Sequence, residues 1–273
     1  MPELPEVETI RRDLEKKIIG KKIIDIRVIQ KNSIKNSPTY FTKTLKNNSI
    51  KSITRKGKLL ILKIKENEKY LLIHLRMTGQ ILCCDTDIKI AKNTRVVFTF
   101  NDNSQLFFND TRRFGYLQIT TEKEKDIALK KMGIDILDKN FTFKKLKSLL
   151  KNRRRNLKSA LLDQKIITGI GNIYADEICF KARLQPNRIT GELNDKEVKK
   201  LYNSIIKIIN LAIKNRGTSF SDYIDSNGKK GNFSKFLKVY QKEKETCQNC
   251  HKKSIKKIKV AGRATRYCEN CQK

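Results

Sequence analysis

The sequence predicts an α+β protein in which an N-terminal β-sandwich precedes a helical domain and a small C-terminal β-hairpin unit. Residues 23–120 are dominated by short β-branched and aromatic runs between turn-forming residues, which is typical of a sandwich. Beyond residue 135 the apolar residues recur at helical spacing. Two Cys-x2-Cys pairs mark the last unit. We therefore predict three domains, comprising residues 1–134, 135–237 and 238–273.

A helix is predicted in the opening stretch "MPELPEVET" and the residues after it. Pro5 is compatible with the first helical turn, and Glu6 favours the positive end of the helix dipole. An apolar stripe continues at helical spacing through Val7, Ile10, Leu14 and Ile18 up to Gly20. This helix leaves Pro2 and Glu3 without a structural explanation.

The strand-like runs that follow are KIIDIRVI, KLLILKIK, YLLIHLRM, TRVVFTF, SQLFFN and GYLQI. In the third of them, His74 lies on an apolar strand and Met77 at its end, where core packing is the usual role. The later stretch "NDTRRFG" places two arginines and Phe114 on a predicted loop. That combination suits base contact and stacking, and it suits a core phenylalanine beside surface arginines equally well.

The helical region contains FTFKKLKSLLKN, LKSALLDQ and NIYADEICFKA, and then a long helix that Asn194 and Glu197 cap and that ends near Gly217. The basic run KNRRRNLK begins one of these helices, and a solvated charge run is its ordinary interpretation. The amides after Gly169-x-Gly171 suit a phosphate at a helix N-terminus. Residues 217–234 are rich in glycine and polar residues, and we predict a mobile loop there.

The spacing of a zinc ribbon is present in Cys247, Cys250, Cys268 and Cys271. Four thiolates form a closed tetrahedral site, so we predict one structural Zn²⁺ that supplies the folding energy of this short unit. Between the pairs, IKKIKVAGRATRY predicts a hairpin with Gly262-Arg263 at its tip. An odd cysteine count without an apolar leader argues against disulfides. We expect the remaining cysteines to be buried or incidental: Cys83, Cys84 and Cys179.

Lysine and arginine total 61 against 28 acidic residues, a formal charge of +33. So basic a chain is attracted to polyanions, and nucleic acid is the first candidate. No run approaches the roughly 18–20 apolar residues that span a bilayer. We therefore expect a soluble, cytoplasmic protein that binds nucleic acid and has no membrane partner. We also expect a monomer.

The motifs, taken in order along the chain, resemble those of the formamidopyrimidine-DNA glycosylase family. They are MPELPEVET, RKGK, HLRMTG, DTRRFG, GIGNIYADE, GTSFSDY, KFLKVY and VAGRATRYCENCQ, and they cover essentially the whole chain. The resemblance implies a β-sandwich, a helix-two-turn-helix domain and a zinc-finger hairpin, with double-stranded DNA between the domains. It also implies base excision repair: excision of oxidised purines (8-oxoguanine and formamidopyrimidines), followed by strand cleavage through β,δ-elimination.

The resemblance gives the opening residues a chemical role. Removal of Met1 leaves Pro2 as a secondary amine with a pKa of about 7.7–8, so that roughly 10–15% is unprotonated at pH 7. Its attack on the sugar C1′ expels the base and leaves an iminium, which promotes elimination of the 3′ phosphate. Glu3 is placed to move protons at the sugar ring, and Glu6 to position water or the N-terminus.

Further roles follow from the family's motifs. Lys58 matches the lysine of β-elimination, and Arg263 matches the arginine of δ-elimination and phosphate binding. Arg112 and Phe114, with Met77, match the wedge that fills the space left by the flipped base, and Arg112 faces the orphaned cytosine. The other matches to DNA-binding positions are His74, Asn93, Arg153, Lys158 and Asn172.

Residues 217–234 match the family's lid over the flipped base. Asn93 stands where a DNA-contacting histidine is usual, Thr111 replaces a common proline, and Ala264 and Arg266 alter the common Gly-Arg-Gly-Thr-His of the hairpin. Two alternatives remain open. An endonuclease VIII-like glycosylase would remove oxidised pyrimidines, and a non-catalytic zinc-containing protein would bind DNA or RNA with the same fold.

Overall fold

The computed structural model describes residues 1–85, 90–151, 153–220 and 223–273. The chain forms two compact units: unit 1 comprises Met1–Lys130 and Ile213–Ser234, and unit 2 comprises Lys131–Ala212 and Lys235–Lys273. The boundaries of the three predicted domains remain predictions. Among the helices of the described ranges, none is long and apolar enough to cross a bilayer.

Unit 1 contains β1 (Ile23–Val28), β2 (Ile50–Lys56), β3 (Leu59–Ile64), β4 (Tyr70–His74), β5 (Gly79–Cys84), β6 (Thr94–Phe100), β7 (Gln105–Asp110) and β8 (Tyr116–Thr120). Antiparallel pairing gives one sheet in the order β1-β6-β7-β5 and a second in the order β2-β3-β4-β8. Alternate residues of both sheets enter one core, for example Phe98 on β6 and Leu60 on β3. The predicted sandwich is confirmed, and each quoted strand-like run overlaps one of these strands.

The helices of unit 1 are α1 (Leu4–Ile18), α2 (Pro38–Leu45) and α3 (Glu122–Lys130). The predicted apolar stripe of α1 is buried in the core of the sandwich. Helix α2 interrupts a region that was predicted mainly as strand. Pro38 occupies its first turn, and the Ser37 hydroxyl accepts a hydrogen bond from the Tyr40 amide (3.3 Å). Local capping therefore decides the structure of this segment.

Unit 2 contains β9 (Ile134–Asp135), α4 (Phe143–Leu150), α5 (Leu157–Leu162), β10 (Ile167–Thr168), α6 (Asn172–Ala182), most of α7 (Asp195–Lys214), β11 (Lys256–Val260) and β12 (Arg263–Tyr267). The predicted capping box of α7 is confirmed: Asn194 Oδ1 accepts from the Glu197 amide (3.0 Å), and Glu197 Oε2 accepts from the Asn194 amide (2.9 Å). Helix α6 is buried along most of its length, which makes it the element on which the hairpin β11-β12 is held.

The cysteines outside the C-terminal pairs agree with the expectation that they are structural. Cys179 is fully buried on α6, and Cys83 and Cys84 are half-buried on β5. Burial raises the pKa of Cys83 to about 12, so its thiol is un-ionised at neutral pH.

Candidate active site and metal centre

Two buried carboxylates mark the start of α1. Glu3 and Glu6 are each 1% exposed, and they form a capping box in which the Glu3 amide donates to Glu6 Oε2 (2.7 Å). The second oxygen, Glu6 Oε1, accepts from the Thr218 amide (2.7 Å). Pro2 precedes this cap and is buried as well. The structure thus brings Pro2, Glu3 and Glu6 together at one rigid point of unit 1.

The segment after α7 is fastened to α1 next to Glu6. Gly217 has a φ of +79°, and a Cβ at this position would lie 2.6 Å from Glu6 Oε1, so a larger residue would be strained and would displace the Glu6 carboxylate. Arg216 bridges Asp13 (2.5 Å) and the buried Asp225 (2.6 Å). The first stem of the predicted lid is therefore held on α1, and the second stem is joined to the first, because the Phe233 amide donates to the Gly217 carbonyl (2.9 Å). Two lid residues, Ser221 and Asp222, lie outside the described residues.

Lys58 occupies the tight turn between β2 and β3, where Gly57 has a φ of +57°. The nearly buried Arg55 side chain donates from Nε to Glu8 Oε2 (2.8 Å) and from Nη1 to the carbonyl of Gly57 (3.2 Å). Burial acts to raise the pKa of Glu8, but two further arginines on α1 and the charge of Arg55 outweigh it and keep the pKa low. The ion pair anchors the Lys58 turn to α1, a role for Arg55 that the sequence analysis missed.

Asp110 joins two loops at one edge of the sandwich. Its carboxylate accepts a short hydrogen bond from the Thr78 hydroxyl and another from the Gly115 amide (2.7 Å). Thr78 Oγ1 in turn accepts from the Arg112 amide (3.0 Å). The buried Arg95 also holds Asp110 in place, since its Nε donates to the Asp110 carbonyl (2.8 Å). The sequence motif DTRRFG contains both Asp110 and Gly115, but Thr78 and Arg95 lie far away in the chain, and their contacts with Asp110 were not predicted.

The joined loops carry Met77, Arg112 and Phe114, the three residues predicted to form a wedge. Phe114 is 54% exposed, and the Arg112 guanidinium lies 4.9 Å from its ring centroid. The alternative of a core phenylalanine is therefore wrong. Met77 is half-buried on the facing loop. Asn93 stabilises the backbone at the start of the Arg112 loop, because its carbonyl accepts a hydrogen bond from the Asp110 amide (2.9 Å).

His74 ends β4 in a half-buried position rather than in the core. Its Nδ1 accepts from the Arg76 amide (3.0 Å), so the proton of the neutral ring resides on Nε2. Burial and the charges of Arg76 and Lys58 lower the pKa of His74 to about 4. At neutral pH the ring is thus an uncharged donor through Nε2, which suits a phosphate oxygen.

Lys158 does not face solvent, so the predicted contact of its side chain with DNA is wrong. The side chain is fully buried, and its ammonium pairs with Asp176 Oδ1 (2.6 Å). The same group donates to the Ala264 carbonyl (3.0 Å) and to Thr265 Oγ1 (2.9 Å). Three acceptors inside unit 2 use all of its donors, so Lys158 supports the strand that begins at Arg263.

Helix α6 supports the same strand. Asn172 Nδ2 donates to the Ala264 carbonyl (3.3 Å), and Asp176 Oδ2 accepts from the Arg266 amide (3.1 Å). Burial raises the pKa of Asp176 to about 6 against the opposing effect of Lys158. Asn172 is the first residue of α6, and its half-buried side chain lies beside the hairpin.

The turn of the hairpin differs by one residue from the prediction. Ala261 and Gly262 form it, with φ values of +51° and +73°. Arg263 is exposed and pairs with Val260 as the first residue of β12. A two-residue turn with positive φ values matches the twist of the two strands. The Arg263 side chain therefore extends from the first position of a rigid, hydrogen-bonded hairpin.

Arg153 is exposed within the basic run, where its Nε donates to the Leu149 carbonyl (2.6 Å) and its charge faces solvent. Its backbone is fixed, since its carbonyl accepts from the Thr190 hydroxyl (3.0 Å) and from the Gly191 amide (3.1 Å). Arg153 and Lys158 were predicted to act alike, but only Arg153 presents its charge to solvent.

The four C-terminal cysteines form a candidate metal centre. Their sulfur atoms all lie within 4.8 Å of one another, and the Cys247–Cys271 and Cys250–Cys268 sulfurs are each 3.7 Å apart. Sulfurs about 2.3 Å from a tetrahedral Zn²⁺ are about 3.8 Å apart, so the cluster fits this ion. Asn249 donates to the Cys271 sulfur (3.2 Å), a contact typical of the second layer around a metal.

The fold and these sites define the class of protein: a modular α+β protein whose sandwich carries buried carboxylates at its first helix and whose last unit is a four-cysteine hairpin. The family model of the formamidopyrimidine-DNA glycosylase N-terminal domain matches residues 1–117, and that of the formamidopyrimidine-DNA glycosylase H2TH domain matches residues 132–223. The chain belongs to the formamidopyrimidine-DNA glycosylase family. The predicted family and enzyme class are thereby confirmed.

Individual relatives agree over the full length. The chain is 41% identical to formamidopyrimidine-DNA glycosylase of Desulforamulus reducens, covering 100% of this chain and 99% of the relative. It is 42% identical to the enzyme of Carboxydothermus hydrogenoformans, with 100% of both covered. The structure is similar to a Lactococcus lactis Fpg mutant in complex with a Fapy-dG containing DNA, with a TM-score of 0.92, 35% identity and 100% of both chains covered.

Proposed function

We propose that this protein is a bifunctional DNA glycosylase and AP lyase that excises oxidised purines from double-stranded DNA and then cleaves the strand. Membership of the family supports the proposal, as do solved relatives whose structures are named as complexes with Fapy-dG and abasic-site DNA. The observation that carries it is the buried, capped arrangement of Pro2, Glu3 and Glu6. The charge of +33 is in keeping with a DNA partner.

The Pro2 nitrogen is the nucleophile once Met1 has been removed. Its lone pair attacks the sugar C1′ and the bond to the damaged base breaks, so that the base leaves with the bonding electrons and takes up the proton that the Pro2 nitrogen loses. Glu3 donates a proton at the ring oxygen as the sugar opens, which leaves an iminium between Pro2 and C1′. When a base removes a C2′ proton, the C–H bonding electrons flow into the iminium, and the resulting enamine expels the 3′ phosphate, which takes the electrons of the C3′–O bond. Glu6 accepts hydrogen bonds from the Glu3 and Thr218 amides, and it thereby fixes the position of Glu3 relative to the first stem of the lid.

The other site residues act on the DNA. Lys58 transfers protons and binds phosphate during β-elimination, and Arg263 serves the δ-elimination. Met77, Arg112 and Phe114 fill the space of the flipped base. Phosphates and sugars are bound by His74, Asn93, Arg153 and Asn172.

Arg112→Ala is expected to weaken the preference for cytosine opposite the lesion by about 1–3 kcal/mol, because the variant lacks the direct contact of the Arg112 side chain with the orphaned base. Excision from duplexes with each of the four opposite bases measures this preference. Arg113→Ala is the matched control, since it removes the neighbouring charge. An opposite-base preference that survives in the Arg112 variant would reject the wedge role.

Zn²⁺ bound by the four cysteines is expected to hold the hairpin that carries Arg263. Cys247→Ser is therefore predicted to lose the metal and to unfold residues 256–267, while the sandwich of unit 1 stays folded. Zinc stoichiometry and hydrogen exchange report the two effects, and Cys84→Ser, which alters a cysteine outside the cluster, should retain close to one zinc per chain. Active wild-type protein that contains no zinc would exclude this role.

Borohydride trapping on a duplex with 8-oxoguanine opposite cytosine tests the proposed function. A covalent adduct and cleaved strand are expected, and thymine glycol should be a poorer substrate. A clear preference for thymine glycol would favour the endonuclease VIII-like alternative. Binding without any adduct on either lesion would favour the non-catalytic alternative.

A further inference from the structure

A cluster of Lys35, Arg76 and Tyr116 lies beside His74 on unit 1 and has no part in the chemistry above. Tyr116 on β8 is paired with His74 on β4, and their rings stack with centroids 5.8 Å apart. The Lys35 ammonium lies 5.6 Å from the Tyr116 ring centroid, and the Arg76 guanidinium lies 5.8 Å from it. One half-buried ring therefore holds two cations.

Both cations extend from a fixed backbone. The Lys35 amide donates to the Leu117 carbonyl (2.9 Å), which ties the segment before α2 to β8. The Arg76 amide donates to His74 Nδ1, and Arg76 adopts a left-handed conformation with a φ of +53°. Because the backbone is already ordered, binding of an anion here costs little conformational entropy.

The positive charge of the cluster is not neutralised within the described part of the chain, where neither Lys35 nor Arg76 has a carboxylate within ion-pair distance. By contrast, Arg11 and Arg12 on α1 both pair with Glu8. The neighbouring charges that lower the pKa of His74, those of Arg76 and Lys58, are also positive. Two uncompensated cations on one aromatic ring create a local positive potential that favours an anionic ligand.

We propose that Lys35, Arg76 and Tyr116 form a phosphodiester-binding site that extends the DNA interface beyond His74. The inference rests on the proposed function, because it identifies the anion as the backbone of the DNA substrate. Guanidinium and ammonium groups donate charge-assisted hydrogen bonds to phosphate oxygens, and the Tyr116 ring holds both groups in place. Successive phosphates of a DNA strand are regularly spaced anions, and the two cations on the Tyr116 ring can bind such phosphates.

The salt dependence of DNA binding by the full chain tests this site. Lys35→Gln and Arg76→Gln should each make the slope of log K against log salt shallower by about 0.9, on undamaged and lesion duplexes alike. Lys43→Gln removes the same charge from exposed α2 and should leave the slope unchanged. Tyr116→Phe should retain wild-type affinity, and Tyr116→Leu should weaken it severalfold.

Unchanged slopes for Lys35→Gln and Arg76→Gln would overturn the site, and so would an equal effect of Lys43→Gln, which would indicate bulk charge alone. The proposed function is judged separately, on the wild-type protein. Shallower slopes without a borohydride adduct would support this site and reject the catalytic proposal. An adduct with unchanged slopes would do the reverse.

Discussion

Lys158→Met is expected to destabilise unit 2 by about 3–5 kcal/mol, the usual cost of removing one partner of a buried ion pair. The Asp176 carboxylate then remains buried without its cation, and the Ala264 carbonyl and Thr265 hydroxyl lose a donor. Because these acceptors directly follow Arg263, δ-elimination should fall as well. Denaturant unfolding measures the first effect, and the ratio of δ- to β-elimination products on abasic DNA measures the second.

A double variant separates positioning from folding. Lys158→Met with Asp176→Asn removes both charges of the buried pair and should recover most of the stability, while the δ-elimination defect persists because the hairpin is still unsupported. Lys181→Met, which removes an exposed lysine from α6, should change neither quantity. Recovery of δ-elimination by the double variant would show that Lys158 does not position Arg263.

Salt dependence discriminates between a buried support and a DNA contact. Arg153→Ala should make the slope of DNA binding shallower by about 0.9, because the proposed phosphate contact of this exposed arginine would be lost. The double variant at Lys158 should keep the wild-type slope. A slope that decreases equally in both proteins would restore the direct phosphate contact that the sequence predicts for Lys158.

Lys158 also shows where prediction from sequence fails. The run KNRRRNLK is uniformly basic, and nothing local distinguishes its last residue from Arg153. Burial of Lys158 depends on Asp176, which lies on another helix, and on the strand after Arg263. Helix α5 buries Leu157, Ala160 and Leu161, so its helical spacing was a usable signal that position 158 lies close to the core.

The parts that sequence did predict depend on local patterns or on short, specific spacings. The stripe of α1, the capping box of α7 and the paired cysteines are of this kind, and all three are present in the structure. Contacts between distant segments were not predictable in the same way. The Thr78–Asp110 hydrogen bond and the Arg55–Glu8 ion pair arise only when the strands assemble, yet they hold the loops of Arg112 and Lys58.

Capping the Pro2 nitrogen is expected to abolish both base excision and strand cleavage while leaving DNA binding intact. A retained Met1 or a non-cleavable N-terminal tag converts the amine to an amide, whose lone pair is delocalised and not nucleophilic. The fold should tolerate the change: with Met1 attached and 45% exposed, the capping box of Glu3 and Glu6 is complete. Borohydride trapping and strand-cleavage assays on 8-oxoguanine DNA measure the loss, and a binding assay confirms retained affinity.

The decisive comparison is with the same protein carrying a C-terminal tag, which should form the adduct and cut the strand. Glu3→Gln gives a different expected pattern, because it keeps the amine but removes the proton donor. It should still be trapped on a pre-formed abasic site while base excision falls sharply. These two patterns separate loss of the nucleophile from loss of the acid. Full strand cleavage by the capped protein would place the nucleophile elsewhere, and Lys58, held at its turn by the Arg55–Glu8 pair, would be the first lysine to replace.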